Sequence, residues 1–291
     1  MPVPARIVIE RDQPGEPHRG KVFVAVHTHQ DDVPYFAGGL CAKLMKEGYT
    51  GYIVRTGNDE NAGGRTIAEN ILSNEQEHFK MAAALGFKDT LDLYYRSHRM
   101  NEISPVELRG RLIFILRMLK ADTVISYDPL SPAERDVDRI ATGRAVEEAC
   151  QMCGGSTDFP EHMEAGFDAH PVGERYYVCA RPEDRFNRVV DISSHIEKKI
   201  DGIVECKSRG GGASGSELRG RLARQSQRLP LLGSSDRTAD REYARQFLLS
   251  DYRDYGKPHN LQWAERFYYV DERRPARSKV DEYVEKNAVR M

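Results

Sequence analysis

Four short apolar runs, Val22 to Val26, Tyr52 to Arg55, Thr90 to Leu93 and Thr123 to Ser126, alternate with helical periodicity and constrain the fold more than any other feature. Each run is rich in β-branched residues and ends in turn or polar residues, as buried parallel strands do. Between them, Phe36, Ala37, Leu40, Cys41 and Leu44 form one helical stripe ended by Gly48, and a second runs from about Asn74 to Leu85 and stops at Gly86. Further helices are expected over Pro105 to Leu119 and from about Arg139 to Met152. The order βαβαβαβα predicts an α/β fold: a doubly wound, Rossmann-like, mostly parallel sheet with helices on both faces. Strands at Arg175 to Ala180 and Arg188 to Asp191 read as additions at one sheet edge, before a helix near Ile196 to Lys207 where the regular part ends.

With 291 residues, 40% of them hydrophobic, one domain is expected over residues 1–270, its core at about 20–208 and a helical part at 209–270. Arg209 to Gly215 (RGGGASG) is too glycine-rich for regular structure and reads as a mobile loop or lid hinge, followed by helices near Ser216 to Arg228 and Thr238 to Tyr255. Residues 271–291 are charge-rich and read as an arm or tail. Basic and acidic residues number 43 and 45, so no global field points to nucleic acid or an anionic membrane, and a small molecule is the expected partner. Five scattered cysteines suit a reducing cytoplasm, with the C-x-x-C of Cys150 and Cys153 read as packed thiols. Neither a signal peptide nor a membrane span is expected. The loop NDENAGGR after the second strand lacks a phosphate-binding pattern, which argues against a nucleotide cofactor.

Ligands of α/β sheets bind beyond the carboxyl ends of the strands. The first strand runs into VFVAVHTHQDDVPYFAGG, delivering His29, Asp31 and Asp32 to that position. Imidazole and carboxylate together suit a divalent metal, although the aspartates would equally cap the next helix. His27, in the apolar run, reads as a core histidine that could complete a metal site, and His98 follows the third strand near the expected cleft.

The stretch Thr28, His29, Gln30, Asp31 and Asp32, followed by Gly38 and Gly39, resembles the A-H-P-D-D…G-G signature of the PIG-L/LmbE family of zinc-dependent de-N-acetylases. Glu75 to Phe87 resembles the family's R-x-x-E helix, with Glu77 on its acid. Asp128, Pro129, Glu134, Asp138 and Gly143 fall in register with the D-P-W…E-x-H-P-D-H…G segment, favouring the branch that includes diacetylchitobiose deacetylases. The resemblance implies an amide hydrolase acting on an N-acylated amino sugar, with His29 and Asp32 on zinc, Asp31 as general base and homo-oligomeric assembly. Its third zinc ligand falls on Arg139, whose guanidinium has no lone pair to give, and the other histidine of that motif falls on Asp136. Asn74, Ser97 and Cys206 also replace family residues. Three outcomes follow. Asp136, or His27, joins His29 and Asp32 in a rebuilt site for Zn²⁺, Fe²⁺ or Mn²⁺; or Arg139 takes the ion's place on an aspartate and leaves a metal-free, catalytically silent member that binds a sugar-like ligand or an assembly partner; or the same cleft carries different chemistry, for which the sequence offers no nucleophile.

Overall fold

In a computed structural model, which describes residues 7–273 and 278–289, the first central strand shows why the sheet is covered on both faces. Phe23 and Ala25 point into one apolar cluster, and Val24 and Val26 into the other. That period-two division requires helices on each side.

The strands are β1 (Val8–Glu10), β2 (Val22–His27), β3 (Thr50–Gly57), β4 (Asp89–Tyr95), β5 (Thr123–Tyr127), β6 (Glu174–Val178), β7 (Arg188–Asp191) and β8 (Ala264–Asp271). The helices are α1 (Asp32–Phe36), α2 (Gly38–Lys46), α3 (Ile67–Leu85), α4 (Pro105–Leu119), α5 (Val137–Met152), α6 (Glu161–Glu164), α7 (Ile196–Ile203), α8 (Ser214–Arg224), α9 (Asp236–Tyr243), α10 (Ser250–Gly256) and α11 (Lys279–Asn287). Residues of α2, α3 and α7 fill one cluster and those of α4 and α5 the other, so the doubly wound α/β expectation holds. No described helix is long and apolar enough to cross a membrane.

The eight strands are ordered β1-β7-β8-β6-β5-β2-β3-β4, with β8 antiparallel to both its neighbours and the other pairs parallel. Two expectations need correction. β6 and β7 are not additions at an edge, because β8 inserts between them and β1 covers the outer side of β7. Nor does regular structure end after α7. The run AERFYYVD reads as charged and mixed, yet Ala264, Glu265 and Phe267 are fully buried, the glutamate because it is paired inside the core.

The chain leaves β2 towards β3 and β4, then returns through α4 to place β5 on the other side of β2. This reversal opens a crevice at the carboxyl ends of β2 and β5, the usual ligand position in such sheets.

Candidate active site

Two strand ends and two helix starts build the site. β2 hands over to the turn Thr28–Asp31 and then to α1, whereas β5 hands over to a loop that ends at Asp136, the N-cap of α5. One oxygen of Asp136 accepts from the backbone N–H groups of Asp138 (2.9 Å) and Arg139 (3.2 Å), as capping chemistry requires. Its other oxygen is left to face the crevice.

His29 is fully buried, with Asp32 Oδ2 3.2 Å from its Nδ1 and Asp136 Oδ2 3.7 Å from its Nε2. Neither ring nitrogen makes an aligned hydrogen bond among the described residues. Burial works against the imidazolium, but Asp32 outweighs it and raises the pKa. Asp32 also accepts from the Tyr127 hydroxyl, which in turn accepts from Thr28 N at 2.7 Å.

Arg139 forks onto Asp32, with Nη2 2.5 Å from Oδ1 and Nε 3.4 Å from Oδ2. Its guanidinium lies over the rings of Phe36 (5.2 Å) and Tyr127 (5.9 Å), and Glu134 stands 3.6 Å from Nη1. Burial opposes ionisation of Asp32, yet Arg139 and then His29 hold its carboxyl well below the usual range. The cation therefore sits in a fitted socket of carboxylates and aromatic faces.

Asp31 points to the opposite side, where Arg209 donates to Oδ1 at 3.1 Å and also lies 3.6 Å from Asp59. Burial and the neighbouring Asp32 push the Asp31 carboxyl up to about 6, although Arg209 pulls the other way. Arg209 arrives on the glycine-rich segment, which packs here. Gly210 Cα carries no side chain because a Cβ would come within 2.8 Å of Asp31 Cβ, and Gly210 O accepts from the Tyr35 hydroxyl. Glu77 holds the same segment by accepting from the backbone N–H groups of Lys207 and Ser208, both at 2.8 Å.

The structure brings His29, Asp31, Asp32, Asp136 and Arg139 together. His98 contributes its backbone, donating from N to Asp138 at 2.5 Å, while the residue itself is exposed. His27 turns inward, its Nδ1 2.5 Å from His29 O and its ring 5.3 Å from that of His78. Tyr127, Asp59 and Arg209 were not anticipated as site residues. Tyr127 lies one residue past the expected strand, and the other two lay in segments read as flexible loops. Asn74 bonds Gln30 Nε2 (2.8 Å) and the Ala62 carbonyl (2.8 Å), stapling α3 to both loops.

Burial holds His27 at about 4 and, with the adjacent His27, keeps His78 well below its usual 6.5. The unfolded chain therefore binds protons that these rings refuse. Stability is complete above pH 6.5 and falls as acid is added, by about 2 kcal/mol for His27 between pH 7 and 5, with His78 acting in the same direction. Urea titrations at the two pH values should show a smaller acid loss for His78→Leu than for the unsubstituted protein. An unchanged difference would remove His78 from this account.

The donor chemistry around His29 suits a divalent ion, but not where the sequence motif would put it. Asp32 and Asp136 lie at opposite ring nitrogens, so His29, Asp32 and Asp136 as arranged do not converge on one ion. Arg139 also occupies the side of Asp32 that such an ion would use.

An open α/β sheet with paired acids and an imidazole at its switch point defines a class of small-molecule enzyme sites rather than one reaction. Residues 24–150 match the family model PIG-L: GlcNAc-PI de-N-acetylase, in line with the resemblance of the first-strand motif. N,N'-diacetylchitobiose deacetylase from Pyrococcus horikoshii is similar in structure at 20% identity, TM-score 0.68, covering 90% of this chain and 88% of that one. The 4-carboxy-2-hydroxymuconate hydratase GalB from Pseudomonas putida is similar at 18% identity, TM-score 0.61, covering 89% and 98%. The conserved protein TT1542 from Thermus thermophilus follows at 19% identity, TM-score 0.60, covering 84% and 93%. No curated protein is a significant match. The fold is therefore that of the LmbE-like deacetylases, and it also carries a hydratase.

Proposed function

We propose that this chain is a metal-dependent amide hydrolase of the de-N-acetylase type, removing an acyl group from an N-acylated amino sugar or related small molecule. The observation that carries the reading is the juxtaposition of His29, Asp31 and Asp32 on one turn at the switch point of the sheet, within the residues that match the PIG-L model. In it, Asp31 takes the proton of the attacking water and returns it to the leaving amine. Arg209 fixes the Asp31 carboxylate. A divalent ion, when bound, would polarise the acyl carbonyl and lower the pKa of water towards ~7. The reading extends to a cytoplasmic, homo-oligomeric protein.

A second reading has its own support. Arg139 on Asp32 supplies positive charge without acidifying a water, which suits a silent member that binds a sugar-like ligand or an assembly partner.

Acetate release from N-acetylglucosamine and N,N'-diacetylchitobiose, with Mn²⁺ or Zn²⁺ supplied, separates the two. The hydrolase reading expects turnover that falls 10²- to 10⁴-fold, on the order expected for loss of a general base, in Asp31→Asn at unchanged melting temperature. Folded protein that releases no acetate from either sugar would favour the silent reading.

A further inference from the structure

His29 is a buried imidazole held between carboxylates at both edges, and its protons can be counted. Asp32 is kept ionised by Arg139 and can only accept, so the nitrogen 3.2 Å from it, Nδ1, is the one that carries hydrogen. Nε2 then presents a lone pair towards Asp136 Oδ2, 3.7 Å away. A lone pair facing a carboxylate oxygen repels it unless a proton or a cation stands between them.

Asp136 does not face the ring alone. One ligand atom each from His29, Asp136 and Asp138 lies within 4.8 Å of the others. Asp138 is fully buried, fixed by the backbone N–H groups of His98 and Met100 (3.1 Å), and each of its oxygens keeps a second lone pair. Among the described residues, no arginine or lysine approaches within 4.0 Å of either Asp136 or Asp138. The nearby cation is already matched, since Arg139 answers to Asp32 and Glu134. Two carboxylates and an imidazole without an aligned partner thus share one corner, where a proton on Nε2 or a bound cation would balance them. The Asp136 side chain is 19% exposed, so this corner touches solvent.

We propose that a first-row divalent cation binds at Nε2 of His29 with Asp136 and Asp138, on the far edge of the ring from the family's position. Asp32 and Arg139 then act as the pair that fixes the ring's tautomer and aim, a role carboxylates commonly take behind metal-bound histidines. Arg139 keeps Asp32 in that role. The oxygen-rich donor set suits Mn²⁺ or Fe²⁺ at least as well as Zn²⁺. This deepens the hydrolase reading and rests on it for the ion's use, but not for its binding.

Full-length protein stripped with chelator should take up one Mn²⁺ per chain in a calorimetric titration. Asp136→Asn retains an oxygen for the helix cap and removes the charged ligand, so affinity is expected to fall about tenfold or more at unchanged melting temperature. Anomalous scattering from Mn²⁺-soaked crystals should place the ion against Nε2. No stoichiometric uptake, unchanged affinity in Asp136→Asn, or an ion lodged between Nδ1 and Asp32 would each overturn the proposal. A protein that binds Mn²⁺ in this way yet releases no acetate would sink the hydrolase reading and leave the site standing.

Discussion

Glu265→Ala is expected to lower the free energy of unfolding by about 3–5 kcal/mol, the range for breaking one half of a buried ion pair. Glu265 and Lys199 are both fully buried, with Lys199 Nζ 2.7 Å from Oε1. The same carboxylate accepts from Gly39 N and Leu40 N, both at 2.8 Å, so it also serves the exposed N–H groups at the start of α2. Alanine would leave an ammonium in the core and two amides without acceptors. The lysine could shed its proton more readily than usual, since burial already lowers its pKa despite Glu265, which limits the loss. Chemical denaturation at pH 7 measures the effect. Lys199→Met should cost less, because the carboxylate would keep both amide donors. A loss below about 1 kcal/mol in Glu265→Ala would show that neither the pair nor the cap matters to α2.

The α/β class was legible because β2, β3 and β5 are largely buried and read as short apolar runs. β8 was not legible, because it buries a glutamate whose partner, Lys199, is 66 residues away in sequence. Pairing at that separation leaves no local periodicity. For the site, the turn carrying His29, Asp31 and Asp32 announced itself by residue type and position. Which ring nitrogen each aspartate would face did not, since the choice depends on how α5 starts. Asp136 spends one oxygen on the cap and has only the other to offer, a division set by backbone geometry. Arg209 was hidden for a different reason: glycines next to it suggested mobility, whereas Gly210 and Gly212 permit close packing against Asp31 and Cys206, and Gly211 takes the positive φ between them.

Arg139→Ala is expected to destabilise the protein by about 3–5 kcal/mol, even though the motif resemblance would put a metal ligand at this position. Removing the guanidinium leaves Asp32, 2% exposed, facing His29 and Tyr127 without its principal counter-charge. Its carboxyl pKa should rise from well below the usual range, so the penalty grows as pH is raised from acid towards neutrality: a protonated Asp32 needs no cation, an ionised one does. Arg139→Lys should recover less than half of the loss. An ammonium cannot reach both oxygens in a fork, and it gives up the planar contact with Phe36 and Tyr127. The double change Asp32→Asn with Arg139→Met removes both charges and should be milder than Arg139→Ala alone, because no isolated ion remains. Denaturant midpoints of the four proteins at pH 5 and pH 8 would give these comparisons. If Arg139→Ala were as stable as the parent at pH 8, the guanidinium would not be what keeps Asp32 ionised, and the assignment of the pair as a fixed support for His29 would fall with it.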